Sequence, residues 1–201
     1  METKLSKADR TRQFIIETTA GIFNTKGYAG TSMSDITQAT GLTKGSIYGN
    51  FSNKEEVALA VFDYNYGKVS GVIRQRIEAA KTYRDKLLVY AQVYDQYTRS
   101  AFFPTGGCPI LNTAVEADDT NLLLKDRAAK AIVKWKKGIM DLIQAGVDAG
   151  EFKQGIDNAR IALTIIAMIE GAVMMSKVTN SQACLDKIMY SVELMINDMK
   201  A

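Results

Sequence analysis

Across positions 43–50 the chain sets out two hydroxyls, an ammonium, a phenol and a carboxamide: Thr43, Lys44, Ser46, Tyr48 and Asn50. Short donors with one cation among them suit phosphate oxygens and base edges. Gly45 lets the backbone come close to a duplex. Ser52-Asn53-Lys54 then puts a helix start and an ammonium together, which suits a phosphate. Elsewhere, chemistry-bearing residues are few. Cys108 follows Gly106-Gly107 at a helix start, where a thiol is driven toward the reactive thiolate; the alternative is an inert cysteine packed there. Glu170 interrupts a nearly uncharged apolar run, so it needs an internal cation or hydroxyl, or the donor of a ligand. Tyr94, Tyr97, Trp135 and Met174 offer aromatic and adaptable surface, either as core or as pocket wall.

Composition removes the usual catalytic devices. The chain has no histidine, which excludes a serine–histidine triad and a histidine-ligated metal. Its two cysteines, Cys108 and Cys184, make neither a zinc site nor a disulfide framework. With no glycine-rich phosphate loop either, an all-helical enzyme acting on an apolar substrate lacks its chemistry. No catalytic residue, metal or cofactor is expected. Net charge is +3, too low for a polycationic nucleic-acid binder, although residues 1–50 carry six cations against four carboxylates. The N-terminus lacks the apolar stretch of a signal peptide, and the most apolar segment, 161–169, is shorter than the ~20 residues of a membrane span. The expectation is a cytoplasmic chain with no membrane partner.

The elements that must position these residues are helical. The two prolines, Pro104 and Pro109, leave long stretches free of helix breakers. Ser6 and Asp9 form a capping box, and the apolar spacing from Ile15 to Phe23 closes at Gly27. Ser32 and Asp35 repeat the box and open a short helix ending near Gly41. Thr43 caps the next, and Ser52 with Glu55 starts a fourth. Ile36, Ala39, Leu42, Ile47 and Phe51 form the expected buried side of a helix-turn-helix, with Gly41 in the turn. Later come a long helix from about 80 that stops at Pro104, one opened by Pro109, one over 122–147, one over 158–177 capped by Asp157, and a last from Ser181. The fold class is all-α with about nine helices.

Ile15-Ile16, Ala20, Phe23, Gly27-Tyr28, Thr31-Ser32, Ile36, Ala39, Gly41, Gly45, Tyr48, Phe51 and Lys54-Glu55 together resemble the N-terminal signature of the TetR family of transcriptional regulators. The resemblance covers about residues 10–60. It implies a three-helix DNA-binding domain over 1–52 and a ligand-binding and dimerisation domain over 53–201. It further implies that Thr43, Lys44 and Ser46 face the major groove, that Gly45 allows close approach, and that Thr31, Tyr48 and Lys54 hold phosphates, with Ser32 and Asn50 beside them. The family's aromatic–histidine pair after the tyrosine is replaced here by Gly49-Asn50; Asn50 still donates, while Gly49 weakens the helix by ~1 kcal/mol.

The helix over 158–177 is apolar around its circumference and the last, over 181–199, carries one strong apolar stripe, so both seek partners. As in the family, they are expected to form the four-helix interface of a homodimer; the alternative is intrachain core. A two-fold dimer reads a palindromic double-stranded operator. The resemblance implies a repressor released by a small-molecule inducer. Gly107-Cys108, followed by Asn112 and Glu116, resembles a TetR subgroup that includes electrophile-sensing repressors and ordinary small-molecule binders. The candidate ligand or sensor residues are therefore Cys108, Asn112, Tyr94, Tyr97, Trp135, Glu170 and Met174. A rival reading has the N-terminal helices binding protein instead of DNA, and a steep salt dependence of DNA affinity separates the two.

Overall fold

The structure, a computed structural model, describes residues 6–96, 100 and 102–201. Among them are nine helices: α1 (Lys7–Gly30), α2 (Met33–Thr40), α3 (Lys44–Tyr48), α4 (Lys54–Ala79), α5 (Tyr83–Asp95), α6 (Pro109–Ala117), α7 (Leu122–Asp148), α8 (Asn158–Thr179) and α9 (Gln182–Asp198). The capping signals explain most starts. Ser6 with Asp9 and Ser32 with Asp35 both form complete capping boxes. Thr43, Asp157 and Ser181 accept the amides of Ser46, Arg160 and Cys184. At α4 the cap falls one residue later than the Ser52–Glu55 pairing: Asn53 Oδ1 accepts from Glu56 N at 2.8 Å. The helix expected to reach Pro104 ends earlier, at Asp95. Tyr97 lies outside the described residues.

The chain forms two compact units, and neither is a consecutive half. One comprises the chain up to Lys68 with Pro104–Ala129, the other Val69–Phe103 with Lys130–Ala201. This differs from a division at residue 52 because the core under α1–α3 needs more chain to close. Ile15, Phe23, Ile36, Ile47 and Phe51 pack in one cluster with Val57, Ala58 and Val61 of α4, Ala117 of α6 and Leu124 of α7. Burial of such side chains, each contributing roughly 1.5–3 kcal/mol, holds the short α2 and α3, which are too short to persist alone.

In the second unit, Leu87 and Tyr94 of α5, Ile139 and Ile143 of α7, Ile165 and Ile169 of α8 and Leu185, Val192 and Ile196 of α9 are buried. Helix α9 packs on both α5 and α8. The outer face of α8 and α9 stays apolar: Leu163, Met174, Met175, Val178, Tyr190 and Leu194 are exposed. Helix α8 as a whole exceeds the 161–169 stretch; its 22 residues, with a window of mean hydropathy 1.8, are long and apolar enough to cross a membrane by length and composition. Its inner face is buried in the unit, with Ile161, Ile165, Ile169 and Val173 at 5% exposure or less.

Candidate nucleic-acid interface

Helices α2 and α3 are joined by three residues, Gly41, Leu42 and Thr43. Gly41 is left-handed (φ 68°) and its N–H donates to Thr37 O at 2.9 Å. Nothing lies within 4 Å of where a Cβ would stand, so backbone handedness alone makes glycine the natural residue. Ala39, expected inside, is exposed; Thr40 takes the inward position instead, its hydroxyl donating to Ile36 O at 2.7 Å and accepting from Leu42 N at 3.3 Å. In α3 Ile47 is fully buried, and Thr43, Lys44, Gly45 and Tyr48 are exposed, with Ser46 and Asn50 half-buried. One small helix therefore presents a continuous polar face held by a single apolar anchor and by Phe51, also buried.

Some of the donors are already engaged. Thr43 Oγ1 accepts from Ser46 N at 3.1 Å, which leaves its own O–H free to turn outward. Asn50 Nδ2 donates to Ser46 O at 2.9 Å. The Ser32 hydroxyl is exposed but serves the capping box with Asp35, whose carboxyl is held well below the usual carboxylate range, first by the Lys26 ammonium at 2.6 Å and then by Ser32. Thr31 does not reach solvent: it is fully buried and its hydroxyl donates to Gly27 O at 2.6 Å, so its side chain closes α1 and offers nothing to a phosphate.

Two cations brace this face. Lys54 Nζ donates to Tyr28 O (2.8 Å) and Thr31 O (2.9 Å) and lies 4.2 Å from the Tyr28 ring centroid. It caps the end of α1 with two of its three N–H groups. Arg12, which the sequence reading passed over, donates to the Asn50 carbonyl and to Glu56 Oε1, and its guanidinium sits 3.9 Å from the Phe51 ring centroid. Glu56 also accepts from the Ser52 amide and hydroxyl, both at 2.7 Å. Those two bonds, then Arg12, pull its carboxyl to about 2.

Helix α6 belongs to the same compact unit. Asn24 Nδ2 donates to Thr105 O and Gly107 O, and Asn112 Nδ2 to Asn24 O and Gly106 O, all within 3.0 Å. Glu116 accepts the Tyr28 and Ala29 amides, one on each oxygen, both at 2.8 Å. Gly27 (φ 72°) permits the bend, and a Cβ there would overlap the Glu116 carboxylate. Asn112, a ligand candidate on sequence, thus works as a clamp on α1. Cys108 sits at the N-cap of α6, fully buried.

The remaining ligand candidates divide. Tyr94 and Trp135 come together, rings stacked at 5.2 Å and 5°, with Phe103 edge-on to Tyr94 at 5.3 Å and Tyr90 stacked on Trp135 at 6.2 Å. The Trp135 indole N–H is buried and, among the described residues, without an acceptor. Glu170 is half-buried on α8. Met174 is 49% exposed on the outer face of that helix, because the apolar circumference of α8 is only partly covered within the chain.

Comparison with known proteins agrees along the chain. Residues 15–61 match the model of bacterial regulatory proteins, tetR family, and residues 84–192 that of the tetracyclin repressor-like C-terminal domain. A TetR-family transcriptional regulator from Cytophaga hutchinsonii is 48% identical, with 99% of each chain covered and a TM-score of 0.93. One from Chloroflexus aurantiacus is 38% identical over 98% of each chain, TM-score 0.92. The HTH-type transcriptional repressor DhaR of Mycobacterium sp. (strain GP1) is 24% identical over 180 residues, 89% of this chain and 88% of that protein.

Proposed function

Because this chain belongs to the TetR family of DNA-binding transcriptional regulators and not to an enzyme family, we propose that it is a homodimeric repressor that holds a palindromic operator through α2 and α3 and leaves it when an effector binds. The observation that carries this reading is the polar face of α3, exposed and rigidly backed by Ile47, Phe51 and Arg12. Thr43, Lys44 and Ser46 read base edges in the major groove and Gly45 lets the backbone approach. Tyr48 and Asn50 meet phosphates. Lys54 brings its third N–H and its charge to a phosphate, while Ser52 and Asn53 offer the start of α4.

Dimerisation through α8 and α9 accounts for the exposed stripe from Leu163 to Leu194. It sets two α3 helices for successive major grooves. The effector site lies at the Tyr94–Trp135 stack, with Glu170 as a further contact; the acceptorless indole N–H favours an effector that is flat and carries a hydrogen-bond acceptor. Release by modification of Cys108 is the second reading. Its full burial means that a reagent must wait for α6 to open, which favours a bound effector over an electrophile. As a DNA-binding regulator it is proposed to act in the cytoplasm. The test is the affinity for genomic DNA as salt is raised: the reading requires a steep fall from phosphate contacts, and a flat response would favour a protein partner.

A further inference from the structure

Within the first compact unit, α6 is tied to α1 by two rungs of equal sequence separation. Asn112 Nδ2 donates to Asn24 O at 3.0 Å, and one turn further along both helices Glu116 accepts from Tyr28 N at 2.8 Å; each pair lies 88 residues apart. Asn112 and Glu116 are four residues apart on one face of α6, as Asn24 and Tyr28 are along α1. The rungs differ in what they hold. The Asn24 rung closes on the loop before α6, through Thr105 O, Gly106 O and Gly107 O, and fastens that loop to the body of α1. The Glu116 rung falls beyond the break at Gly27 (φ 72°, ψ −179°), where α1 changes direction. There the carboxylate takes the amides of Tyr28 and Ala29, one on each oxygen.

This last turn of α1 leads directly into α2. Lys54, at the start of α4, donates to Tyr28 O and Thr31 O, and the next residue, Ser32, is the N-cap of α2. Lys26, just before the break, pairs with Asp35 of that cap at 2.6 Å. The corner from Gly27 to Ser32 is therefore gripped from two sides: a cation of α4 holds its carbonyls and a carboxylate of α6 holds its amides. A carboxylate suits the second grip because both of its oxygens accept; a carboxamide would turn N–H groups toward one of the two amides. Gly27 belongs to the same device, since a Cβ there would overlap the Glu116 carboxylate. We propose, resting on the assignment of α3 as the DNA-reading helix, that Glu116 is a positioning residue for operator binding. By holding the Tyr28 and Ala29 amides it sets the angle at which α2 and α3 leave α1, so DNA affinity depends on where α6 stands. Without Glu116, Lys54 still ties the corner to α4, and the loss falls on the angle more than on the fold.

The experiment is a double-mutant cycle over Glu116 and Gly27 in the full chain, read as affinity for a genomic fragment that the wild type enriches. Each affinity is measured well below the melting midpoint of its variant, so that a role in stability alone would leave it unmoved. Glu116→Ala should weaken binding by about tenfold or more. Gly27→Ala, whose methyl displaces the carboxylate, should do the same. The double variant has no carboxylate to displace, so it should bind within about threefold of Glu116→Ala. Glu116→Gln keeps the shape and one acceptor; it should show a smaller loss, and it takes the place of Glu116→Ala if that variant does not fold. Fully folded Glu116 variants that bind as wild type does, or losses that multiply in the double variant, would overturn the proposal while leaving α3 as the reading helix. A wild type that enriches no fragment would instead remove the DNA-reading account and this role with it.

Discussion

The guanidinium of Arg12 and the carboxylate of Glu56 meet at 2.7 Å, joining the first helix of the chain to the first turn of α4 directly beside the recognition segment. The same guanidinium covers Phe51 and donates to the Asn50 carbonyl, so the chain at the end of α3 is held by a side chain 38 residues away. The pose of the reading helix is therefore a property of α1 and α4 as much as of α3.

Acid should release this brace only late, as Glu56 is protonated. Glu56 falls from an ordinary value of 4.5 to about 2. A carboxyl depressed on folding stabilises fully above its unfolded value and loses that contribution as pH falls through its folded one. Urea midpoints of wild type and Glu56→Gln should differ most above about pH 5 and converge toward about pH 2. The pair is more than one-third exposed, so solvent screening keeps the difference small. Curves that stay parallel through this range would place the depressed carboxyl elsewhere.

Two left-handed glycines should respond differently to alanine. At Gly41 the added methyl meets open space, and the cost is the backbone conformation alone, roughly 1–2 kcal/mol. At Gly27 the same handedness applies and the methyl also overlaps Glu116, which must give up the Tyr28 and Ala29 amides. Gly27→Ala should therefore cost at least about 2 kcal/mol and exceed Gly41→Ala in chemical denaturation. Equal losses would contradict the Glu116 contact.

Lys44 and Lys54 should separate by stability as well as by affinity. Lys44 is exposed and is proposed to read a base edge, so Lys44→Ala should weaken operator binding with little change in salt slope and leave stability within about 0.5 kcal/mol. Replacing Lys54, proposed to hold a phosphate, should lower the slope by about 0.9. Lys54→Ala removes the donor to two carbonyls and should also destabilise the fold by roughly 1–3 kcal/mol. Thermal melts and salt titrations of the two variants measure both effects.

The outer stripe of α8 and α9 should govern association. Leu163→Asp or Leu194→Asp places a charge on a surface that is exposed within one chain and that the proposed dimer would cover. Light scattering at micromolar concentration should report a dimer for wild type and a monomer for either variant. A wild-type monomer would remove the two-fold reading of an operator.

What the sequence made legible was mostly local. A hydroxyl three residues before a carboxylate sets its own cap, and both Ser6–Asp9 and Ser32–Asp35 close as their spacing requires. Thr43, Gly41 and Ile47 likewise take the roles that turn and period assign them. Ala39 and Thr40 show the limit: in an eight-residue helix a shift of one position changes which side faces in, and Thr40 gains burial by bonding its hydroxyl to the Ile36 carbonyl. Thr31 turned inward for the same reason. Asn24, Asn112 and Glu116 were beyond reach, because their partners lie more than 80 residues distant and no periodicity links them. Asn112 and Glu116 stood out as a motif, but only the packing of α6 on α1 explains why a carboxamide and a carboxylate four residues apart are needed. Arg12 read as one cation among six; its place over Phe51 depends on three helices meeting.

The most direct measurement is the selection of genomic fragments by the purified protein, carried out in parallel with a Lys44→Ala/Tyr48→Ala variant. Wild type should enrich a palindromic sequence, and the variant, which keeps Ile47 and the core beneath α3, should enrich none. If wild type enriched nothing at low salt, or if the variant recovered the same sequence as well, the exposed face of α3 would not be the surface that reads DNA.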